Sequence, residues 1–350
     1  MAGSDAAVQL TNDDAQVSKL SCVKKGYFKD DFVHFFVRRA QRRPPLINRG
    51  YYARYSCIRD LREQFFDACK GRKCQVLCLG AGFDTAYLQS KAEGGVPETC
   101  EWFEVEFHAV CSRKCMAFEK HPELKRAVGD DGQVAVDVDA GKITAPHYRL
   151  VPGDLRRLEQ VSQALLAAGF DPALPTLVVL ECVLVYLEPE EGDAVARWAG
   201  SFLAGEACCV VYEQVNPHDS FGKQMLLNLE ARGCPLRGIF GTPTLAAHEE
   251  RFLRGGWTKA RATDMRAAYV GCTDPADRLR AERLEIFDEL EEWSLIQEHY
   301  CITVAYKEPA GAGADAATAL SAVGLKRRLP QAPPFGGGLP GRPGGLPCAD

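Results

Sequence analysis

The sequence has no stretch near the roughly 20 consecutive apolar residues that a bilayer-spanning helix needs, so no membrane partner is expected. Its opening, "MAGSDAAVQLTNDD", is polar and acidic without an apolar segment, and a secretory route is not expected either. A basic excess is missing as well: 42 Lys and Arg stand against 47 Asp and Glu, a formal net charge of −5. A nucleic-acid binder carries a basic footprint for the phosphate backbone, so no nucleic-acid partner is expected. Metal-ligand spacing is lacking too. The seven histidines are scattered with no H-x-x-x-H pair, and "CSRKC" and "CKGRKC" have no second Cys or His pair at zinc-site distance. Internal repeats are absent. These absences leave the expectation of a soluble, cytoplasmic protein without a metal centre; a monomer is expected, although none of them bears on oligomeric state.

What is present begins with cysteine. The count of 15 is odd, and several lie inside apolar runs ("VLCLG", "ECVLVY", "ACCVVY") as small buried hydrophobes, a usage that suits a reducing cytosol. Cys182 reads as packing rather than as a nucleophile, because nothing beside it in sequence would lower its pKa.

Strand-like runs alternate with helical stretches: "CQVLCLG", "EWFEVEF", "YRLVPGD", "TLVVLECVLVY" and "ACCVVYEQV", with helices near 84–92, 108–120, 155–168 and 189–204. Alternation at this spacing predicts βαβ crossovers and a doubly wound α/β sheet covered on both faces. A helical extension over 18–70, broken by "RRPP", precedes it. A mainly helical stretch within 214–256 is long enough for a lid. A helix near 276–296 and an antiparallel last strand, "HYCITVAYKE", complete a domain over 18–308. Residues 1–17 are expected to be flexible, and 309–350, rich in Ala, Gly and Pro, to be a disordered tail.

In an open α/β sheet, ligands bind at the carboxyl ends of the strands. The residues that close the runs are Gly80 and Gly82, Glu106, Asp154 and Glu181. Two glycines let a ligand approach the backbone, although the same turn also serves as a plain strand-to-helix connection. A carboxylate after the second strand can accept both hydroxyls of a ribose. Asp154 could accept from an adenine amino group, and Glu181 faces where a cation would lie. A dinucleotide wants a third glycine where Thr85 stands, and Asp84 would repel its pyrophosphate. S-adenosylmethionine carries no phosphate and presents cationic groups, which suits a site rich in carboxylates.

The segments "INRGYYAR" (47–54), "LGAGFDT" (79–85), "FEVEF" (103–107), "GDLRRL" (153–158), "ECVLVYLEPE" (181–190), "YEQVNPHDSFG" (212–222) and "HYCITVAYK" (299–307) resemble, in order and spacing, the leucine carboxyl methyltransferase family over about residues 18–307. The resemblance implies a class I S-adenosylmethionine-dependent, Rossmann-like methyltransferase sheet. It implies methyl transfer to the α-carboxylate of the C-terminal leucine of the protein phosphatase 2A catalytic subunit, and with it regulation of phosphatase holoenzyme assembly. It implies that Lys19 and Arg54 meet the carboxylate of the cofactor's methionine part with Gly80 beside them, that Glu106 takes the ribose, that Asp154 and Leu155 take the adenine, and that Glu181 closes the pocket. One departure is that Glu106 stands where the family usually has Asp.

A C-terminal carboxylate is already ionised at neutral pH, so the implied reaction needs placement rather than a general base. Arg49, Tyr52, Arg54, Tyr212 and Gln214 are the candidates to steer it. For Arg49 the alternative is an ion pair on the N-terminal helices, and for Tyr52 a place in the core. Other readings in the same fold are a transfer-RNA wybutosine-type carboxyl methyltransferase and a small-molecule carboxyl methyltransferase. From a different class comes a non-catalytic binding module.

Overall fold

The computed structural model describes residues 2–130, 132–309, 311 and 318–328. Helix α1 (Ala2–Lys24) leads to α2 (Pro45–Ala68), which starts with proline at its first helical position, where no N–H is needed. Then come β1 (Cys74–Leu79), α3 (Ala86–Ala92), β2 (Cys100–Glu106), α4 (His108–Lys120) and α5 (Pro122–Val128). A short hairpin, β3 (Ala135–Asp137) with β4 (Lys142–Thr144), precedes β5 (Tyr148–Pro152). The second half runs α6 (Leu158–Ala167), β6 (Thr176–Glu181), α7 (Pro189–Phe202), β7 (Ala207–Gln214), α8 (Ser220–Ala231) and α9 (Leu245–Arg254). It ends with β8 (Lys259–Asp264), α10 (Met265–Cys272), α11 (Pro275–Glu282), α12 (Leu290–Glu298) and β9 (Tyr300–Lys307).

The nine strands form one sheet in the order β3-β4-β5-β2-β1-β6-β7-β9-β8. β5, β2, β1, β6 and β7 are mutually parallel, and β9 enters antiparallel between β7 and β8. β1 and β7 are buried along their whole length, as strands covered on both faces are. One apolar layer gathers Phe65, Trp102, Tyr148 and Tyr212 on the α2 and α4 side. The other gathers Leu77, Phe103, Val178, Phe252 and Trp257 on the side of α6, α7 and α9. After β1 the chain turns to β2 on one side, and it later fills β6 on the other. This reversal opens a crevice at the carboxyl edge between β1 and β6.

Several expectations are corrected. The stretch expected to be flexible over 1–17 lies, from Ala2 on, inside α1. Two of its polar residues are anchors: Asp13 meets Arg113 at 2.7 Å, and Asp14 meets Arg43. The expected disordered tail over 309–350 is docked over 318–328, with Leu320 fully buried, the Tyr306 hydroxyl 2.9 Å from Thr318 Oγ1, and Arg328 paired with Asp60. The rest of that tail, residues 310, 312–317 and 329–350, lies outside the described residues. The run "TLVVLECVLVY" is not one strand. It ends at Glu181, because Cys182 adopts a left-handed φ of 58° and a 3-10 turn follows over Leu184–Tyr186. The helix expected near 276–296 is two helices, α11 and α12.

Of the stretch expected as a lid, α9 is part of the core shell, burying His248, Arg251 and Phe252. In α8 the buried residue is Gly222 alone. No helix among the described residues is long and apolar enough to cross a membrane.

Candidate active site at the carboxyl edge of the sheet

β1 ends in a turn whose two glycines both have positive φ, 67° at Gly80 and 54° at Gly82. A side chain at either would be strained, and at Gly80 a Cβ would lie 2.6 Å from a methyl of Val183. The turn is tied to β2: the Gly80 N–H donates to the Val105 carbonyl at 2.8 Å, and the Gly82 N–H to Glu106 Oε2 at 2.8 Å. Glu106 Oε1 accepts its neighbouring Phe107 N–H at 2.7 Å. Both carboxylate oxygens are thus oriented by backbone, and each keeps a second acceptor site. Burial pushes the Glu106 carboxyl above its ordinary pKa, against these two amides.

Asp154 follows β5 and accepts from Arg156, whose Nη2 lies 2.8 Å from Oδ2. Partial burial would raise this carboxyl, but the Arg156 bonds outweigh it and hold its pKa low. Leu155 is buried in the same apolar cluster as Leu79 and Val105. Ribose-side and adenine-side candidates therefore close adjacent parallel strands.

Glu181 closes β6, and Arg54 reaches it from α2, with Nε donating to Oε2 at 2.6 Å. The Arg54 guanidinium lies 4.7 Å from the Tyr212 ring centre and 5.6 Å from that of Tyr51. Burial works against the Arg54 charge, and Glu181 together with Cys182, Tyr51 and Tyr212 more than offsets it, so the guanidinium stays charged. Tyr212 stacks on Tyr300 at 5.3 Å between centroids, and Gln214 Nε2 donates to the Tyr300 hydroxyl at 3.3 Å. Burial raises the Tyr51 and Tyr300 phenols to about 12, so both are neutral donors at physiological pH.

Arg54, Tyr212, Gln214, Glu181, Gly80, Gly82, Glu106, Asp154 and Leu155 all fall along this edge. Arg49 and Tyr52 belong elsewhere. Tyr52 precedes Arg54 by two residues, about 200° around a helix. Its hydroxyl donates to Asp277 of α11 at 2.7 Å, and its ring packs on Tyr27 and Tyr269. Arg49 lies 4.0 Å over Phe287 and donates to the Glu282 carbonyl. Lys19 lies under the turn, its ammonium 2.6 Å from Thr85 Oγ1, 2.9 Å from Asp30 and 3.3 Å from Asp84. Burial disfavours that charge, and the two carboxylates hold it in place. Lys19 thus fixes the start of α3, with all three of its donors engaged.

Two contributors escape a reading of the sequence. Tyr300 is brought beside Gln214 by the β7–β9 register, and the alternation of "HYCITVAY" would have put it on the same face as Ile302. Asn12 of α1 accepts the Phe83 N–H at 2.7 Å, which nothing in "LTNDD" signals. An open cleft of about 810 Å³, lined by Asn216, Thr244, Asp264, Arg266 and Glu298 among others, lies towards β8 and includes none of Glu106, Asp154 and Glu181.

The site fits S-adenosylmethionine. A turn with glycine at 80 and 82 meets a backbone-oriented carboxylate, no basic side chain stands on the turn itself, and acidic groups close β2, β5 and β6.

Comparison with known proteins agrees. The chain is 45% identical over 306 residues to the leucine carboxyl methyltransferase 1 homolog of Arabidopsis thaliana, covering 87% of this chain and 91% of that one. It is 35% identical to leucine carboxyl methyltransferase 1 of Rattus norvegicus, covering 85% and 89%. To the human tRNA wybutosine-synthesizing protein 4 it is 41% identical, over 85% of this chain but 44% of that protein. Among solved structures, a Thermobifida fusca protein described as a candidate methyltransferase superposes with a TM-score of 0.50 at 16% identity, covering 76% of this chain and 84% of that one. That likeness supports the class I methyltransferase fold. The family profile described as leucine carboxyl methyltransferase matches residues 7–200, and with these relatives it places the chain in the leucine carboxyl methyltransferase family.

Proposed function

We propose that this chain transfers a methyl group from S-adenosylmethionine to the α-carboxylate of a C-terminal leucine, with the protein phosphatase 2A catalytic subunit as acceptor. The observation that carries the reading is the Arg54–Glu181 pair beside Tyr212, at the strand reversal where the glycine turn and Glu106 also lie. Glu106 would hold the ribose hydroxyls, Asp154 and Leu155 the adenine edge, and Gly80 with Arg54 the methionine end. When bound, the cofactor supplies an electrophilic methyl group on a cationic sulfur.

The protein's part is placement. A C-terminal carboxylate has a reference pKa of about 3.3 to 3.7, so no base has to remove a proton. Of the five donors on the Arg54 guanidinium, Nε is committed to Glu181. Its remaining charge, with the Tyr212 ring and the Gln214–Tyr300 pair, forms a polar wall that can orient an incoming carboxylate. Holding the reactants in line supplies roughly 7 to 11 kcal/mol of barrier reduction. Opposite charges are neutralised in the transfer, so water exclusion by the aromatic wall favours it.

The 41% identity to a wybutosine-synthesizing protein favours a second reading, carboxyl methylation of a modified transfer-RNA base. Incubation with labelled S-adenosylmethionine separates the two. Label on the phosphatase subunit that vanishes when its terminal leucine is removed supports the first reading. Label on wybutosine-precursor transfer RNA alone supports the second.

A further inference from the structure

Strand β7 places Tyr212 and Gln214 on the face of the polar wall and turns Glu213 to the other face, where it is 1% exposed. A buried carboxylate must find partners, and those of Glu213 come from the corner that follows β6. Its Oε1 accepts the Val185 N–H at 2.9 Å, and the amides of Val183 and Leu184 face the same carboxylate. Arg251 of α9 faces it with the compensating charge, while its own Nε donates to Asp193 of α7 at 2.9 Å. Burial raises the Glu213 carboxyl, and Arg251 and the amides oppose that shift.

The corner so gripped runs from Glu181 to Val185. It contains Cys182 in a left-handed conformation that non-glycine residues seldom adopt, a strain that persists only where the surroundings determine it. The Cys182 N–H donates to the Tyr212 carbonyl at 2.7 Å. Val183 packs on Gly80, so closely that a Cβ there would collide with it. Gly238 presses from outside, where a Cβ would run into the Leu184 carbonyl. Glu181 at the head of the corner holds Arg54.

We propose that Glu213 is a positioning residue of the cofactor site: by gathering the amides that follow Glu181, it fixes the Glu181–Val185 corner against Arg54 and the glycine turn. The inference rests on the methyltransferase reading above.

Calorimetric titration of S-adenosylmethionine into wild type, Glu213→Gln and Phe252→Leu tests it. Phe252 shares the apolar cluster behind the corner, so its variant serves as a control for stability alone. Glu213→Gln weakens binding about tenfold, the scale of one charged hydrogen bond, while Phe252→Leu stays within about twofold despite a lower melting temperature. Equal affinity for Glu213→Gln and wild type, or a loss no greater than that of Phe252→Leu, overturns the proposal. Wild type that fails to bind overturns the methyltransferase reading instead.

Hydrogen exchange on the ligand-free protein gives a second reading. The Val183–Val185 amides exchange faster in Glu213→Gln, and also in Glu213→Asp, which keeps the charge but draws it back from the amides. Protection at wild-type level in a folded variant overturns the proposal.

Discussion

Asn12 Oδ1 accepts the Phe83 N–H at 2.7 Å, and a Cβ on Gly82 would overlap the same oxygen. The first helix therefore touches the backbone of the glycine turn itself. Asp13 secures it on one side through Arg113, and the Cys234 thiol meets the Ala7 carbonyl at 3.3 Å on the other. Removing the Asn12 contact costs about 0.5 to 1.5 kcal/mol, the usual net worth of one hydrogen bond. In Asn12→Ala, amide exchange over residues 7–16 rises roughly two- to tenfold, while β1 and β6 keep their protection. Unchanged exchange would show that the helix is held by other contacts.

Arg54 binds Glu181 and lies over Tyr212, so its loss affects transfer more than folding. Arg54→Ala lowers single-turnover transfer by about a hundredfold, as loss of one aimed charged donor does. Arg54→Lys recovers part of this, because an ammonium cannot present two parallel donors. A folded Arg54→Ala protein with normal turnover would remove Arg54 from the site.

The segment at 318–328 contributes stability in spite of its setting. Leu320 is fully buried beside β7, and Gln64 exchanges two hydrogen bonds with the Gly324 backbone. Leu320→Ala costs about 2 to 5 kcal/mol, the range for emptying a core leucine site. Thermal unfolding measures it, and a melting temperature equal to wild type would place the segment outside the cooperative unit.

His248 on α9 is buried, and burial together with the nearby Arg251 charge pushes its pKa down to about 3. The folded state keeps it neutral, whereas the unfolded chain protonates it near its reference value of about 6.5. Between these values the unfolded state binds the extra proton, so this contribution is complete above about pH 6.5 and is lost as pH falls towards about 3, at ~1.4 kcal/mol per pH unit. Urea unfolding at pH 7 and pH 5 reads it: His248→Asn loses ~2 kcal/mol less over that interval than wild type does. Equal losses would mean that His248 is not buried neutral.

The alternation of apolar runs and helices made the doubly wound sheet legible, because β1, β6 and β7 are continuous buried strands. β3 and β4 escaped, being three residues each with both end residues facing solvent. The strand-end carboxylates were legible because topology alone delivers them to one edge. Side-chain direction was not. Arg49 and Tyr52 share a segment with Arg54, but helical phase turns them towards α11 and Phe287. Glu213 was hidden between two site residues by the two-residue period of a strand, and the left-handed turn at Cys182 leaves no trace in side-chain chemistry.

The most direct test of the account uses two peptides that end in the same leucine, one with a free carboxylate and one amidated, each incubated with the protein and methyl-labelled S-adenosylmethionine. Label is expected on the free acid alone, released by mild alkali as an ester would be, and cut about a hundredfold in Arg54→Ala. Equal labelling of the amide, or label that survives alkali, would contradict it.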